Sequence, residues 1–297
     1  MTMAMPWRQA VISVDQFSRN DIEEIFALAD RLAIGRTRPL AGKIIANVFY
    51  EPSTRTSSSF FSAMTRLGGS VIPINEVNYS SVTKGESLED TIRTLECYCD
   101  LIVLRHFENN ATERAKAVSS IPIINAGNGT GEHPTQALLD LYTINKERGG
   151  LNGLAVSMMG DLKFGRTVHS LTKLLRLYDS RIRFISPPEL KMPQEYVLPE
   201  DDECHDIDAV IHDTDVLYVT RVQRERIEGA DEFDYSYSVT PAHMDKAPKN
   251  LVLMHPLPRV GEIPTELDTD PRAAYFRQMQ YGLHVRMALL CSMIGNI

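Results

Sequence analysis

The chain is expected to fold as an α/β protein of two domains, each a parallel sheet flanked by helices, with its active site in the interdomain cleft. Three observations predict this. Short β-branched runs alternate with helix-length amphipathic stretches along the whole sequence. The runs are continuously apolar, as strands covered on both faces must be. The length, 297 residues, exceeds one ordinary domain of about 100 to 200 residues.

In the first half, Lys43 to Tyr50, Val71 to Asn75, Leu101 to His106 and Ile121 to Ala126 read as strands. Between them, Thr56 to Leu67 follow a hydroxyl-rich start with helical spacing, and Leu88, Ile92, Leu95 and Cys99 mark a second helix. A helix after His133, with Leu138, Leu141 and Tyr142 on one stripe, bridges the halves. The second half repeats the scheme: strands at Leu154 to Met159, Ile182 to Ser186, Val216 to Thr220 and Leu251 to His255, and a helix from about Gly165 to Tyr178. Pro187 to Asp208, rich in proline and acids, reads as loop with little more than a short helix. Phe276, Met279, Leu283, Met287 and Leu290 mark a long final amphipathic helix. The expected domains are residues 1–133 and 134–271, with the helix of about 272–297 packing back on the first.

Composition narrows the function. A hydrophobic fraction of 43% and a charged fraction of 24% describe an ordinary globular chain. Cys97, Cys99, Cys204 and Cys291 form no C-x-x-C and no pair of pairs, so neither a zinc site nor a redox motif is expected. The start lacks a charged segment followed by an apolar one, and the longest apolar run, Met287 to Ile294, is far below membrane-spanning length. A cytoplasmic protein without a membrane partner is the expectation. A net charge of -8 argues against a general nucleic-acid surface. Any anion site must therefore concentrate its cations locally.

The polar motifs fall at strand ends, where open α/β sheets gather their ligands. After the first strand come Glu51, Pro52, Ser53, Thr54, Arg55 and Thr56, then three further serines. A helix amino terminus offers free N–H groups and a partial positive charge; hydroxyls and a guanidinium there suit a phosphate-like dianion. One such hydroxyl would be an ordinary helix cap, but the run is more than a cap requires. Arg105 and His106 end the strand from Leu101, and Glu132, His133, Pro134, Thr135 and Gln136 stand at a later strand-to-helix turn. Taken singly, Arg105 reads as one half of an ion pair and His133 as a packing histidine.

In the second half, Gly160 to Gly165 has the spacing G-x-x-x-x-G without the endings that nucleotide motifs need, leaving Arg166 in the first turn of a helix. Arg221 and Gln223 follow one strand, and Pro256, Leu257, Pro258 and Arg259 follow another. Together the strand ends suggest two anionic substrates. The absence of paired carboxylates, a nucleophile with its base, or a metal cluster leaves direct group transfer by positioning and charge stabilisation.

S-T-R-T at Ser53 to Thr56, K-G-E at Lys84 to Glu86, H-P-T-Q at His133 to Gln136, G-R-T-V-H-S at Gly165 to Ser170 and H-P-L-P-R at His255 to Arg259, in this order and spacing, closely resemble the aspartate carbamoyltransferase catalytic chains. The resemblance runs from about Phe17 to about Ile294. It implies a carbamoyl phosphate-binding domain at 1–133 and an aspartate-binding domain at 134–271. The reaction is transfer of the carbamoyl group of carbamoyl phosphate to the amino group of L-aspartate, an early step of pyrimidine (UMP) biosynthesis, without metal or other cofactor.

The same resemblance implies that Ser53, Thr54, Arg55 and Thr56 hold the phosphate, with Arg105, His133 and Gln136 around the carbamoyl group. The main chain at Pro256 and Leu257 would take its amide nitrogen. Arg166, Arg221 and Gln223, with Leu257, would clamp aspartate. Ser80 and Lys84 would enter from a neighbouring subunit, making a homotrimer with shared sites. Glu51 would pair with Arg166 and Arg226 between domains. The resemblance leaves open a regulatory subunit or neighbours in a multienzyme polypeptide. Ser57 departs from the arginine of many relatives, and the loop from Glu228 to Val239 is short. Rival readings are a carbamoyltransferase for ornithine, whose sequences typically carry H-C-L-P where Pro256 stands here, and a non-catalytic anion-binding scaffold. A dehydrogenase has only the α/β pattern in its favour.

Overall fold

The computed structural model describes residues 6–35, 37–74, 85–222 and 237–295. The chain forms two compact units, Met1–Leu138 with Tyr281–Ile297, and Leu139–Gln280.

The first unit runs through β1 (Ala10–Val11), α1 (Arg19–Ile34), β2 (Ile44–Phe49), α2 (Thr54–Arg66), β3 (Ser70–Ile74), α3 (Leu88–Leu95), β4 (Leu101–His106), α4 (Ala111–Val118) and β5 (Ile123–Asn128). Its strands pair in parallel in the order β1-β5-β4-β2-β3. The continuous apolar runs are explained by burial: Leu101 to Leu104 of β4 are fully enclosed. Leu88, Ile92 and Leu95 of α3 pack on Ala46, Val48, Ile102 and Leu104 of the sheet. Each buried leucine, isoleucine or valine among them stabilises the fold by roughly 1.5–3 kcal/mol relative to exposure. α1 starts at Ser18, whose hydroxyl accepts from the Asp21 N–H while Asp21 bonds back, and it buries Ile22, Ile25, Phe26, Ala29 and Leu32.

α5 (Pro134–Arg148) follows, then β6 (Ala155–Met159), α6 (Arg166–Leu175), β7 (Arg181–Ile185), β8 (Asp202–Cys204), β9 (Val216–Val219), α7 (Pro241–Lys246), β10 (Val252–Met254) and α8 (Tyr275–Ile294). The second sheet is also parallel, in the order β10-β9-β6-β7-β8. The unit boundaries fall within α5 and α8. Among the described residues, no helix is long and apolar enough to cross a membrane.

One device recurs at the beginning of both sheets. Asp100, just before β4, gives its N–H to the Ile44 carbonyl at 2.8 Å and accepts the Ile44 N–H at 2.8 Å. Asp215, just before β9, does the same with Ala155, at 2.9 and 3.0 Å. An aspartate reaching sideways thus completes the ladder where strand pairing starts, which satisfies backbone groups that burial would otherwise orphan.

Three local expectations shift. β1 and β8 were not expected, because two and three residues are too few to show a period. β8 carries Asp202 and Glu203 at a sheet edge, where charge is tolerated and discourages further pairing. The strand expected at Ile121 to Ala126 lies at Ile123–Asn128, so Gly127 and Asn128 belong to β5 and not to the turn after it. α8 is present, but its buried face is rotated from the expected stripe at the start: Tyr275 and Gln278 are enclosed while Phe276 is exposed.

Candidate active site

β2 and β4 end side by side, the Tyr50 N–H bonding the Arg105 carbonyl at 2.9 Å. The chain then passes Glu51 and Pro52 into α2 with Ser53 at the N-cap position, extended at φ -153° and ψ 95°. Its hydroxyl makes no capping bond, unlike those of Ser18, Ser87 and Thr240 at their helices. A helix amino terminus of this kind, beside a hydroxyl that makes no capping bond, suits an anion. Thr54 and Arg55 are exposed, while Thr56 is buried. Asn47, enclosed in mid-strand, donates to the Ser57 carbonyl at 3.2 Å and fixes this turn against β2.

Arg105 stands at the penultimate position of β4 and donates from Nε to the Glu51 carboxylate at 3.1 Å. His106 plays a different part. Its ring lies 4.4 Å from Tyr50 and 4.2 Å from Phe107, and Nδ1 accepts the Glu108 N–H at 3.0 Å. Burial depresses its pKa below the ordinary 6.5. His106 therefore shapes the turn as a neutral ring.

The approach to His133 is built from amides. Asn125 donates to the Ile12 carbonyl at 2.9 Å and accepts the Gly127 N–H at 2.8 Å. Asn128 accepts the Glu132 N–H at 2.9 Å and donates to the Asn109 carbonyl. Glu132 in turn accepts from the Ser13 hydroxyl and the Val14 N–H, both at 2.8 Å. Gly129 has φ +41°, and a Cβ there would meet the Phe107 carbonyl at 2.8 Å, so the close approach needs glycine. His133 and Gln136 are both buried at the start of α5, the Gln136 N–H reaching the His133 carbonyl at 3.0 Å. The first unit thus brings Ser53 to Thr56, Arg105, His133 and Gln136 to the carboxyl ends of β2, β4 and β5.

In the second unit, β6 is followed directly by Gly160, which has a φ of +120°. A Cβ there would stand 2.2 Å from the Thr220 carbonyl oxygen, so the position permits no side chain. Asp161 accepts the Phe164 N–H at 2.9 Å, and Gly165 then opens α6 with Arg166 in its first turn. His169, one turn on, donates from Nε2 to the Leu162 carbonyl at 2.8 Å and stacks on Tyr196 at 4.4 Å. Burial holds its pKa below 6.5. Arg221 follows β9, with one guanidinium nitrogen 3.4 Å from the Val222 carbonyl. Both arginines are partly exposed at the carboxyl ends of adjacent strands.

After β10 the chain turns sharply. Leu257 has φ +57°, and its peptide to Pro258 is cis. The Leu257 N–H bonds His255 Nδ1 at 2.8 Å, and the His255 N–H bonds Gln278 Oε1 at 3.1 Å. Arg259 is engaged elsewhere: it makes a two-pronged ion pair with Asp268 and lies over the Tyr275 ring at 5.1 Å.

Ser80, Lys84, Gln223 and Arg226 lie outside the described residues, as does most of the loop from Glu228. Among the described residues, no group of three or more His, Cys, Asp or Glu is arranged to hold a metal ion. Asn47, Asp140 and Gln278 were missed by sequence reasoning. For Asn47 and Asp140 the signal was a polar side chain inside an otherwise apolar stretch, as in I-I-A-N-V-F for Asn47; Gln278, with Arg277 and Gln280 nearby, carries no such signal.

Comparison with known proteins matches residues 9–146 to the family described as aspartate/ornithine carbamoyltransferase, carbamoyl-P binding domain, and residues 152–293 to the Asp/Orn binding domain of the same family. The multifunctional protein pyr1-3 of Dictyostelium discoideum is 49% identical over 96% of this chain, which spans only 13% of that protein's length. The aspartate carbamoyltransferase catalytic subunit of Thermoplasma volcanium is 46% identical over 97% of this chain and 99% of its own. Among solved structures, aspartate transcarbamoylase from Trypanosoma cruzi in complex with carbamoyl phosphate and aspartate is 44% identical, with a TM-score of 0.92 covering 97% of each chain. Its ligand-free form gives 0.87 at 42% identity, again over 97% of each chain.

Proposed function

Because the chain belongs to the aspartate/ornithine carbamoyltransferase family, we propose that it transfers the carbamoyl group of carbamoyl phosphate to the amino group of L-aspartate, giving N-carbamoyl-L-aspartate and phosphate. The observation that carries this reading is the start of α2, where the uncapped Ser53 and the first-turn N–H groups stand beside Arg55 at the ends of β2 and β4. This is a phosphate-type cradle, and the relatives just described include aspartate carbamoyltransferases nearly identical in length.

Arg55 and the α2 amino terminus hold the phosphate. The uncharged amine of aspartate attacks the carbamoyl carbon, so a C–N bond forms as the C–O bond to phosphate breaks. Negative charge gathers on the carbonyl oxygen in between, and Thr56, Arg105 and His133 stabilise it as fixed donors that need no rearrangement. Gln136 and the main chain of Pro256 and Leu257 hold the carbamoyl amide. Arg166, Arg221 and Gln223 bind the two aspartate carboxylates as planar, two-pronged partners. The departing phosphate accepts the proton lost by the amine.

The reaction places the protein at an early step of pyrimidine synthesis, in a cytoplasmic setting. The working assembly is a homotrimer in which Ser80 and Lys84 of one subunit complete the site of another. Likeness to both free-standing subunits and multifunctional chains supports further partners, either a regulatory subunit or covalent neighbours. Assay of labelled carbamoyl phosphate with aspartate and ornithine side by side tests the reading. Product with aspartate alone is expected; product with ornithine alone, or none, would overturn it.

A further inference from the structure

We propose that Gln278 and Asp140 are positioning residues for carbamoyl phosphate, acting through His255 on the main chain of Pro256 and Leu257; the proposal rests on the carbamoyl-transfer reading above. Leu257 sits at φ +57°, a left-handed conformation that a leucine does not adopt unaided. Its N–H is held by His255 Nδ1 at 2.8 Å, so the bend depends on where the imidazole stands. The His255 backbone is in turn anchored by its own N–H to Gln278 Oε1 at 3.1 Å.

A glutamine amide can present either its oxygen or its nitrogen. Asp140 removes that freedom. Its carboxylate only accepts, and it takes Gln278 Nε2 at 2.6 Å, which turns Oε1 towards the His255 N–H. The second Asp140 oxygen accepts from the Tyr218 hydroxyl on β9 at 2.7 Å. The relay therefore joins α5, α8 and β9 to the strand end that carries the bend. Asp140, Gln278 and Tyr218 are 0% exposed and His255 is 1% exposed, so water cannot substitute for any of these bonds. Enclosing a carboxylate is costly, and apolar side chains of the same volume would serve stability as well or better. What the relay supplies is one fixed direction for the Pro256 and Leu257 carbonyls, against which the carbamoyl amide must bind.

A reciprocal exchange tests this. Gln278→Glu keeps an acceptor for His255 but sets a second carboxylate against Asp140. Adding Asp140→Asn turns that contact into amide to carboxylate, and still leaves an oxygen for Tyr218. In the assembled enzyme, Q278E is expected to raise the KM for carbamoyl phosphate about tenfold, the worth of one hydrogen bond, with a smaller rise in the KM for aspartate, whose site shares Leu257 but rests chiefly on Arg166 and Arg221. The double variant D140N/Q278E should return it towards wild type. Tyr218→Phe, a milder change at the far end, should shift the same KM by less. An unchanged KM with kcat falling only as the folded fraction falls, or a double variant as impaired as the single one, overturns the proposal. Wild-type protein that transfers no carbamoyl group overturns the underlying reading and this inference with it, so one control separates the two failures.

Discussion

Arg105 and Glu51 meet at the ends of neighbouring elements, Nε to Oε2 at 3.1 Å, with 17% and 23% of their side-chain surfaces exposed. The pair holds the guanidinium at the carboxyl end of β4, which is the position that the proposed charge-stabilising role of Arg105 requires.

Removing the donor should cost far more than loosening it. Arg105→Ala is expected to lower kcat about 100- to 1000-fold while the protein stays folded. Glu51→Gln, which keeps an acceptor but loses the charge, should lose less. Steady-state kinetics beside circular dichroism check both. A loss below roughly tenfold for Arg105→Ala would remove its assigned role.

Gly160 is irreplaceable on steric grounds. At φ +120°, with a Cβ brought to 2.2 Å from the Thr220 carbonyl, Gly160→Ala must displace the end of β9. Backbone strain alone should destabilise by about 1–3 kcal/mol. Because Arg221 follows Thr220 directly, the KM for aspartate should rise as well. Urea unfolding and initial-rate measurements read the two effects.

The Asp268 carboxyl is lowered from 3.8 to about 2, first by its hydrogen bonds from Arg259 and then by that from Tyr275. A folded-state value below the unfolded one means stability that is fully present above pH 3.8 and lost as the pH falls through about 2. Asp268→Asn should therefore be less stable than wild type at neutral pH, and the gap should close across that window. Denaturation midpoints against pH measure it.

His169 gives the complementary case near neutrality. Burial lowers its pKa from 6.5, so the folded state binds its proton less readily than the unfolded chain. Its contribution is present above 6.5 and declines as the pH falls below that value. In His169→Asn the loss of stability on acidification below 6.5 should be shallower. An unchanged slope would show that the ring does not titrate as the burial argument requires.

Shared sites would make activity depend on assembly. Lys84→Ala is expected to abolish turnover without dissociating the trimer, and dilution to monomer should do the same to wild type. Sedimentation velocity run at assay concentrations decides it. A fully active monomer would contradict the role given to Lys84.

Most of the fold was legible because strands buried on both faces must be continuously apolar, and helices between them must be amphipathic. Leu101 to His106 could be bounded from composition alone. The Ser53 to Thr56 run at the start of α2 was legible too, since its residues are consecutive and local chemistry suffices to read them. Other features were not. Whether the Ser53 hydroxyl caps α2 or turns away depends on φ and ψ, and two short strands were invisible because they have no period. Asp140 and Gln278 stand 138 positions apart and touch only in the folded chain. The alternation of elements and the kinds of side chain at the strand ends follow from the order of residues alone. Which way those groups face is set by packing in three dimensions, because a buried polar atom must find a partner wherever in the chain that partner lies.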